Sequence, residues 1–237
     1  MANLRITLGK EEEAEKNYIL ERLSAYSGIS TRVTNYVKFV AIDTEFNEIH
    51  FSGIIKDIIS SVILIFYKYR VLSQGITKLD KNNITHYALL GALLSFDQDG
   101  EAVQVEKDLL GLTSVSVSTL YEFRHSKLKE SWENIVCLAN RLLTECSEED
   151  DIYELIFFLL AVDPETAPKL KLETLRAPTK MLRLLTNNMP LAVPRLTNNP
   201  DYNAIIALVR ERPSSIVITE PSTLNAGLLS AVKKLGS

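Results

Sequence analysis

The sequence has few of the residues that mark an enzyme or a metal site by themselves. It contains only two cysteines, Cys137 and Cys146, and neither has a histidine or a second cysteine at a metal-ligand spacing. Its three histidines lie far apart, and it has neither a glycine-rich phosphate loop nor a nucleophile elbow. These absences exclude the catalytic and zinc-binding classes that a motif identifies, and we expect no cofactor.

Neither sign of charge dominates, and no hydrophobic run is long. The formal net charge of −4 gives no overall field that favours nucleic acid or an anionic membrane. The most apolar run, Ile58–Tyr67, has ten residues, whereas a helix that spans a bilayer needs about 20. Met1–Arg5 shows no signal-peptide pattern, and two isolated cysteines suit a reducing compartment. The sequence therefore predicts a cytoplasmic protein without a transmembrane segment.

One stretch, Tyr121 to Leu143, has a continuous apolar face and contains the only tryptophan. Its large or apolar residues recur at three- and four-residue spacing, at Tyr121, His125, Leu128, Trp132, Ile135, Ala139 and Leu142. This spacing predicts a helix with Trp132 buried. A second apolar stretch, Ile152–Val162, is expected to fold back on it and form the central helical hairpin. On the same helix we expect a partly buried, hydrogen-bonded His125 rather than a catalytic base.

The two cysteines are predicted to remain free thiols. Cys146 lies nine positions after Cys137. On a continuous helix that separation places them on opposite faces, which prevents a disulfide between them.

The N-terminal segments alternate between strand and helix patterns. Asn3–Leu8 alternates apolar and polar residues as a half-buried strand does, and Lys10–Ser27 shows a helical pattern with acids in its first turns. Ser30–Phe46 is rich in β-branched and aromatic residues, which predicts one long strand or a hairpin that turns near Asn35. Together these segments predict a small β-α-β unit.

The middle of the chain is predicted to be helical. The apolar spacing predicts helices over Ile49–Lys78 and over Asn83–Phe96, the second capped by Asn82 or Asn83. The turn sequence Phe96–Gly100 is expected to end that helix, and a short helix is expected over Gln104–Leu112.

After a predicted boundary near Pro164, strands and helices alternate again. The predicted elements are strands over Lys169–Leu175, Met181–Leu185 and Ser215–Thr219, a helix over Asp201–Arg210 capped by Asn199 or Asp201, and a helix over Leu224–Leu235 capped by Ser222. The expected fold class is α+β. Residues 1–164 would hold the N-terminal unit and a helical body, and residues 165–237 a C-terminal α/β portion packed on it.

A basic segment and two neighbouring cations are the candidate binding residues. Between Lys169 and Arg195 the only acid is Glu173, so the segment carries a local net charge of +5. The candidate residues are Lys169, Lys171, Arg176, Lys180, Arg183 and Arg195, with Arg124 and Lys127 beside the apolar face of the central helix. They would contact an acidic partner or phosphate. The alternative is an ordinary solvent face, whose lysines would also protect a sheet edge.

The order of elements resembles that of the YtxC-like sporulation proteins of endospore-forming bacteria. The resemblance rests on Phe123-Arg124, Leu128-Lys129, Trp132–Val136, Ala139, Tyr153–Ile156, Leu159-Leu160, Val162-Asp163, Pro168-Lys169 and an Ile-rich strand after Pro213. The chain departs from the family at Thr219, where a histidine is common. Because the family has no established reaction, the resemblance implies a cellular process, sporulation, and no particular chemistry.

Three hypotheses about function follow. The first is a non-enzymatic cytoplasmic protein that acts through a protein partner, with self-association as a further form of partnership. The second is a nucleic-acid-associated regulator that uses the basic residues. The third is an enzyme with an unrecognised site.

Overall fold

The two sheets of this chain lie in different compact units. The structure is a computed structural model that describes residues 2–47, 50–160, 168–175, 181–186 and 189–236. Within those residues the first unit comprises segments 1–68 and 97–132, and the second comprises segments 69–96 and 133–237. The fold is mainly helical with two small mixed sheets, which confirms the predicted α+β class. The predicted boundary at Pro164 lies outside the described residues.

The described residues form strands near both ends of the chain and mainly helices between them. In order they are β1 (Ala2–Gly9), α1 (Glu13–Ser24), β2 (Ile29–Asn35), β3 (Phe39–Phe46), α2 (His50–Val62), α3 (Lys68–Gly75), α4 (Ile84–Ser95), α5 (Gln98–Leu109), β4 (Ser114–Ser116), α6 (Val117–Arg124), α7 (Ser126–Glu145), α8 (Glu149–Leu160), β5 (Lys169–Leu175), β6 (Met181–Thr186), β7 (Met189–Leu191), α9 (Pro200–Arg210), β8 (Ser215–Ile218) and α10 (Ala226–Leu235). A π-helical segment, Ile63–Tyr67, joins α2 to α3 without a break.

The first unit is built on a four-stranded sheet in the order β2-β3-β1-β4. β1 alternates as predicted, with Leu4, Ile6 and Leu8 buried and Arg5 exposed. β2 and β3 form the predicted hairpin, which turns just after Asn35. β1 is antiparallel to β3 and parallel to the short β4, and helix α6 packs against β1.

The predicted helix over Tyr121–Leu143 is wrong at its beginning. His125 adopts a non-helical backbone (φ −110°, ψ 36°) and separates α6 from α7. The apolar spacing continues across this break, and neither glycine nor proline marks it. The break follows from tertiary packing, because α6 lies against β1 while α7 begins a separate helix.

The centre of the second unit is α4, whereas the sequence predicted a central hairpin of the Trp132 helix with the Ile152–Val162 stretch. Every residue from Ala88 to Ser95 is buried, and α4 packs against α8 and α9. Gly91 allows the close approach of α9, because a Cβ there would lie 2.8 Å from the Ile206 carbonyl oxygen. A helix that is apolar on all sides belongs in a core rather than at its edge.

Several helix boundaries differ from prediction. Asn83 and Asn199 cap α4 and α9 as expected, each accepting a hydrogen bond from a backbone N–H two residues on. However, α5 already begins at Gln98, after a two-residue break at which Asp97 has a positive φ of 53°. The last helix is capped by Asn225 rather than Ser222, so it begins two residues later than predicted.

The sheet of the second unit has the order β7-β6-β5-β8. β5 is antiparallel to β6 and parallel to β8, so it is an interior strand. The lysines of β5 therefore do not protect a sheet edge, which was the additional role expected of them on an ordinary solvent face. The apolar run Ser215–Thr219 predicts a buried strand, but β8 is an edge strand and is only partly buried, with Val217 57% exposed.

Candidate functional site

The structure separates the predicted basic residues into two groups. Arg124 and Lys127 belong to the first unit, and Lys169, Lys171, Arg183 and Arg195 belong to the second. Each of these side chains is exposed except Lys171, which is half-buried. Arg176 and Lys180 lie outside the described residues. The eight positions are therefore not one continuous surface of a single unit.

The basic charge on β5 is partly neutralised within the sheet. Lys169 and Lys171 lie on the face opposite Leu170 and Leu172, as the alternation predicts. The ammonium of Lys171 is 2.5 Å from a carboxylate oxygen of Glu173. Arg183 on β6 is directly opposite Glu173 in the strand register, close enough for its charge to interact with the same carboxylate. This group therefore presents less positive charge than its sequence indicates.

Among the large apolar side chains that the first unit exposes, Phe123 and Leu110 belong to two segments that a contact of Arg124 joins. Phe123, near the end of α6, is 79% exposed, and Leu110, just after α5, is 69% exposed. Gly111 allows the chain to reverse after Leu110, because its φ of +74° is a conformation that favours glycine. We call Leu110, Phe123, Arg124 and Lys127 the Phe123 surface.

The end of α5 and the α6–α7 junction approach each other next to these residues. The Arg124 guanidinium donates a hydrogen bond to the Asp108 carbonyl oxygen at 3.5 Å, and His125 Nδ1 is 3.5 Å from a carboxylate oxygen of Asp108. On the other side, the ammonium of Lys129 lies 4.6 Å above the Tyr121 ring. Leu110 lies two positions after Asp108, and Phe123 lies one position before Arg124. Each is therefore close in the chain to one of these contacts.

His125 is more deeply buried than predicted, and it lacks the predicted hydrogen bonds. Its side chain is fully buried, and neither ring nitrogen has a hydrogen-bond partner among the described residues. Burial lowers the pKa of His125 below its usual value, and the nearby Asp108 carboxylate only partly opposes this effect. The imidazole is consequently neutral at neutral pH.

We expect His125 to make the folded state sensitive to acid. The folded pKa lies below that of an unfolded histidine, so the unfolded chain binds the proton first as the pH falls. Stability should therefore decrease between about pH 7 and pH 5. His125→Leu should show a smaller decrease over this range in urea titrations at several pH values. Identical pH dependences for the two proteins would contradict this expectation.

A second group of polar side chains lies in the interior of the first unit. Lys68 and Glu101 form an ion pair, with the Lys68 ammonium 2.8 and 3.0 Å from the two Glu101 oxygens. Trp132 Nε1–H donates to the same carboxylate at 2.7 Å. Nearby in the chain, the Tyr67 hydroxyl donates to the buried Glu12 carboxylate. Burial raises the pKa of Glu101, while Lys68 and Trp132 oppose the shift. These buried polar side chains thus contact one another in the interior of the first unit.

Sequence reasoning identified the cations of the Phe123 surface but not its apolar residues. Phe123 lies two positions after Tyr121 and therefore outside the three- and four-residue series that predicted the buried face. That offset was a usable signal of exposure. Leu110 gave no such signal, because the predicted short helix extended to Leu112 and covered it.

The described residues contain no metal-binding cluster and one long apolar helix. Within those ranges no three His, Cys, Asp or Glu residues lie close enough to hold a metal ion. Among those residues one helix, His50–Gly75, is long and apolar enough to cross a membrane by length and composition, and about half of its most apolar part is buried inside the protein. The ten-residue apolar run belongs to this longer helix. Both cysteines are free thiols, as predicted.

Comparison with known proteins gives no match: no family model, no curated protein and no solved structure matches this chain.

Proposed function

We propose that this chain is a non-enzymatic protein that acts by binding a protein partner through the Phe123 surface. The observation that carries the proposal is the exposure of Phe123, 79% of which is open to solvent in a folded unit. A group of exposed apolar side chains with polar residues around it marks an interaction site more often than a single exposed apolar side chain does. Aromatic residues and arginine are also enriched where protein partners meet.

The chemistry of the surface indicates the kind of partner. Leu110 and Phe123 offer apolar contact, and Arg124 and Lys127 place positive charge directly beside Phe123. A partner segment with apolar residues between acidic ones would complement both features. The resemblance to YtxC-like proteins supports sporulation as the process and the cytoplasm as the place of this interaction.

Recovery of a partner with matched variants tests this proposal. Phe158 on α8 is a suitable control, because it is also 79% exposed but lies in the second unit. With tagged protein as bait, Phe123→Ser should reduce the recovered partner about tenfold or more, as expected for an aromatic hot spot. Phe158→Ser should recover as much as the wild type. Equal recovery by both variants would contradict the proposal.

The second candidate, binding to nucleic acid, is favoured by the exposure of Lys169, Arg183 and Arg195. It predicts a complex with mixed DNA or RNA that weakens steeply with salt, and its loss in the double variant Lys169→Glu, Lys171→Glu. On our proposal the double variant retains the protein partner, because those lysines belong to the other unit.

A further inference from the structure

A cavity of about 630 Å³ opens in the second unit. Its walls come from α3, the turn that follows it, the beginning of α4 and the segment that precedes α9. The volume lies within the range of about 300–1,000 Å³ that is usual for small-molecule sites. The Phe123 surface belongs to the other unit, so this cavity is a separate feature.

Side chains from three helices fix the non-helical walls of the cavity. The Asn140 amide accepts from Thr77 N–H and donates to the Gly75 carbonyl oxygen, both at 2.9 Å. Asn203 Oδ1 accepts from the backbone N–H of Leu196 at 3.1 Å and of Thr197 at 2.8 Å. These bonds hold both walls in place without a ligand. The cavity is therefore preformed.

The third of these helices, α4, contributes His86, and a hydrogen bond from the backbone determines the tautomer of its ring. The backbone N–H of Asp80 donates to His86 Nδ1 at 2.7 Å, so Nδ1 carries a lone pair. In a neutral imidazole the proton then lies on Nε2. Burial lowers the pKa of His86, which keeps the ring neutral at neutral pH. His86 consequently has an N–H donor at Nε2, which has no hydrogen-bond partner among the described residues.

Most other hydroxyl groups of the cavity already donate to the protein. Tyr87 donates to the Lys81 carbonyl oxygen at 3.2 Å, and Thr77 donates to Asn140 Oδ1 at 3.1 Å. The Tyr69 hydroxyl, in contrast, makes no hydrogen bond to any residue that the structure describes. Burial raises the pKa of Tyr69 to about 12, so this hydroxyl keeps its proton. The cavity thus has two donors available, on Tyr69 and His86.

The remaining lining favours an uncharged ring. Asp80 and Lys81 are exposed and adjacent, so their opposite charges cancel, and the other lining groups are neutral. Tyr87 stacks on Tyr202 with ring centroids 4.1 Å apart, which fixes its ring as a flat wall. Leu90 adds apolar area. An ion would lose its hydration here without finding a compensating charge inside.

We propose that this cavity binds an uncharged ring compound with a carbonyl or ring-nitrogen acceptor, which receives hydrogen bonds from the Tyr69 hydroxyl and His86 Nε2–H. The apolar body of the ligand lies against Tyr87 and Leu90. The inference is independent of the protein-partner proposal, because it uses different residues in a different unit.

Saturation-transfer NMR with small probes tests this inference. Benzamide and nicotinamide are uncharged rings that carry an acceptor, and benzoate and benzylamine are their charged analogues. The wild type should transfer saturation to the two amides at millimolar concentration and much less to the two ions. Absence of transfer to the amides, or equal transfer to the ions, would overturn the proposal.

Two variants locate the binding within the cavity. Tyr69→Phe removes the hydroxyl and keeps the ring, so amide affinity should decrease about three- to tenfold. Tyr202→Phe is the matched control, because its hydroxyl bonds to the Asn82 carbonyl oxygen and does not line the cavity. Ser73→Phe should fill the cavity and abolish binding. Unchanged affinity in Tyr69→Phe contradicts the proposal even if Ser73→Phe fails to fold.

Discussion

Lys68→Met is expected to lower the free energy of unfolding by about 3–5 kcal/mol, because it removes one partner of a buried ion pair. Lys68 is fully buried and Glu101 is 3% exposed, so water does not replace the lost ammonium. The variant keeps the hydrogen bond from Trp132 but leaves the Glu101 carboxylate without its nearby cation. Urea unfolding followed by circular dichroism measures the difference.

The loss should also depend on pH. Burial already raises the pKa of Glu101, and Lys68 opposes the shift, so the pKa rises further without Lys68. The folded variant then holds a proton that the unfolded chain releases, and its stability decreases as the pH rises through the folded pKa. The destabilisation should therefore be larger at about pH 8 than at about pH 5.

Two further variants control this measurement. Lys127→Met removes an exposed ammonium and should change stability by less than about 0.5 kcal/mol. Adding Glu101→Gln to Lys68→Met removes the buried charge but keeps an acceptor for Trp132, so part of the stability should return. A loss below about 1 kcal/mol for Lys68→Met alone, equal at both pH values, would argue against the buried pair.

Trp132→Ala is expected to cost about 3–5 kcal/mol of unfolding free energy. The side chain is fully buried, its ring stacks on Tyr121 at a centroid distance of 5.7 Å, and its Nε1–H bonds to Glu101. Alanine leaves a large cavity and removes a donor from a buried carboxylate. Both effects act in the same direction.

Trp132→Phe separates the loss of the ring contact from the loss of the N–H donor, and Phe158→Ala is the control at an exposed position. Phenylalanine retains most of the ring contact but no donor, so its cost should fall between those of the wild type and alanine. Phe158→Ala removes an exposed aromatic ring and should stay within about 0.5 kcal/mol. Because Trp132 is the only tryptophan, its fluorescence should also shift on unfolding of the wild type. Native emission that matches the denatured spectrum would contradict its burial.

Sequence patterns correctly predicted the elements that depend on residues close together in the chain. The alternation around Ile6 gave β1, the alternation around Leu170 gave β5, and Asn83 and Asn199 gave two helix caps, because each depends on residues within a few positions. The break at His125 was missed, since the contacts that separate α6 from α7 involve residues distant in sequence.

The sites were less predictable because they, too, bring together residues that are distant in the sequence. Lys68 directly follows the apolar run Ile58–Tyr67, and its partner Glu101 is 33 positions away, so no local pattern pairs them. The cavity brings Tyr69 and His86 to the segment at Leu196, and none of these residues forms a motif with the others. By contrast, Arg124 and Lys127 were found from their place beside an apolar face, although their apolar neighbours were not.

Photo-crosslinking from position 123 tests the partner proposal most directly. Benzoylphenylalanine replaces Phe123 in one protein and Phe158 in another, two positions with the same exposed fraction of 79%. In cells of the source organism, position 123 should yield a discrete crosslinked product that contains a second protein, and position 158 should not. No product from position 123, or the same product from both positions, would contradict the proposal that this chain acts through the Phe123 surface.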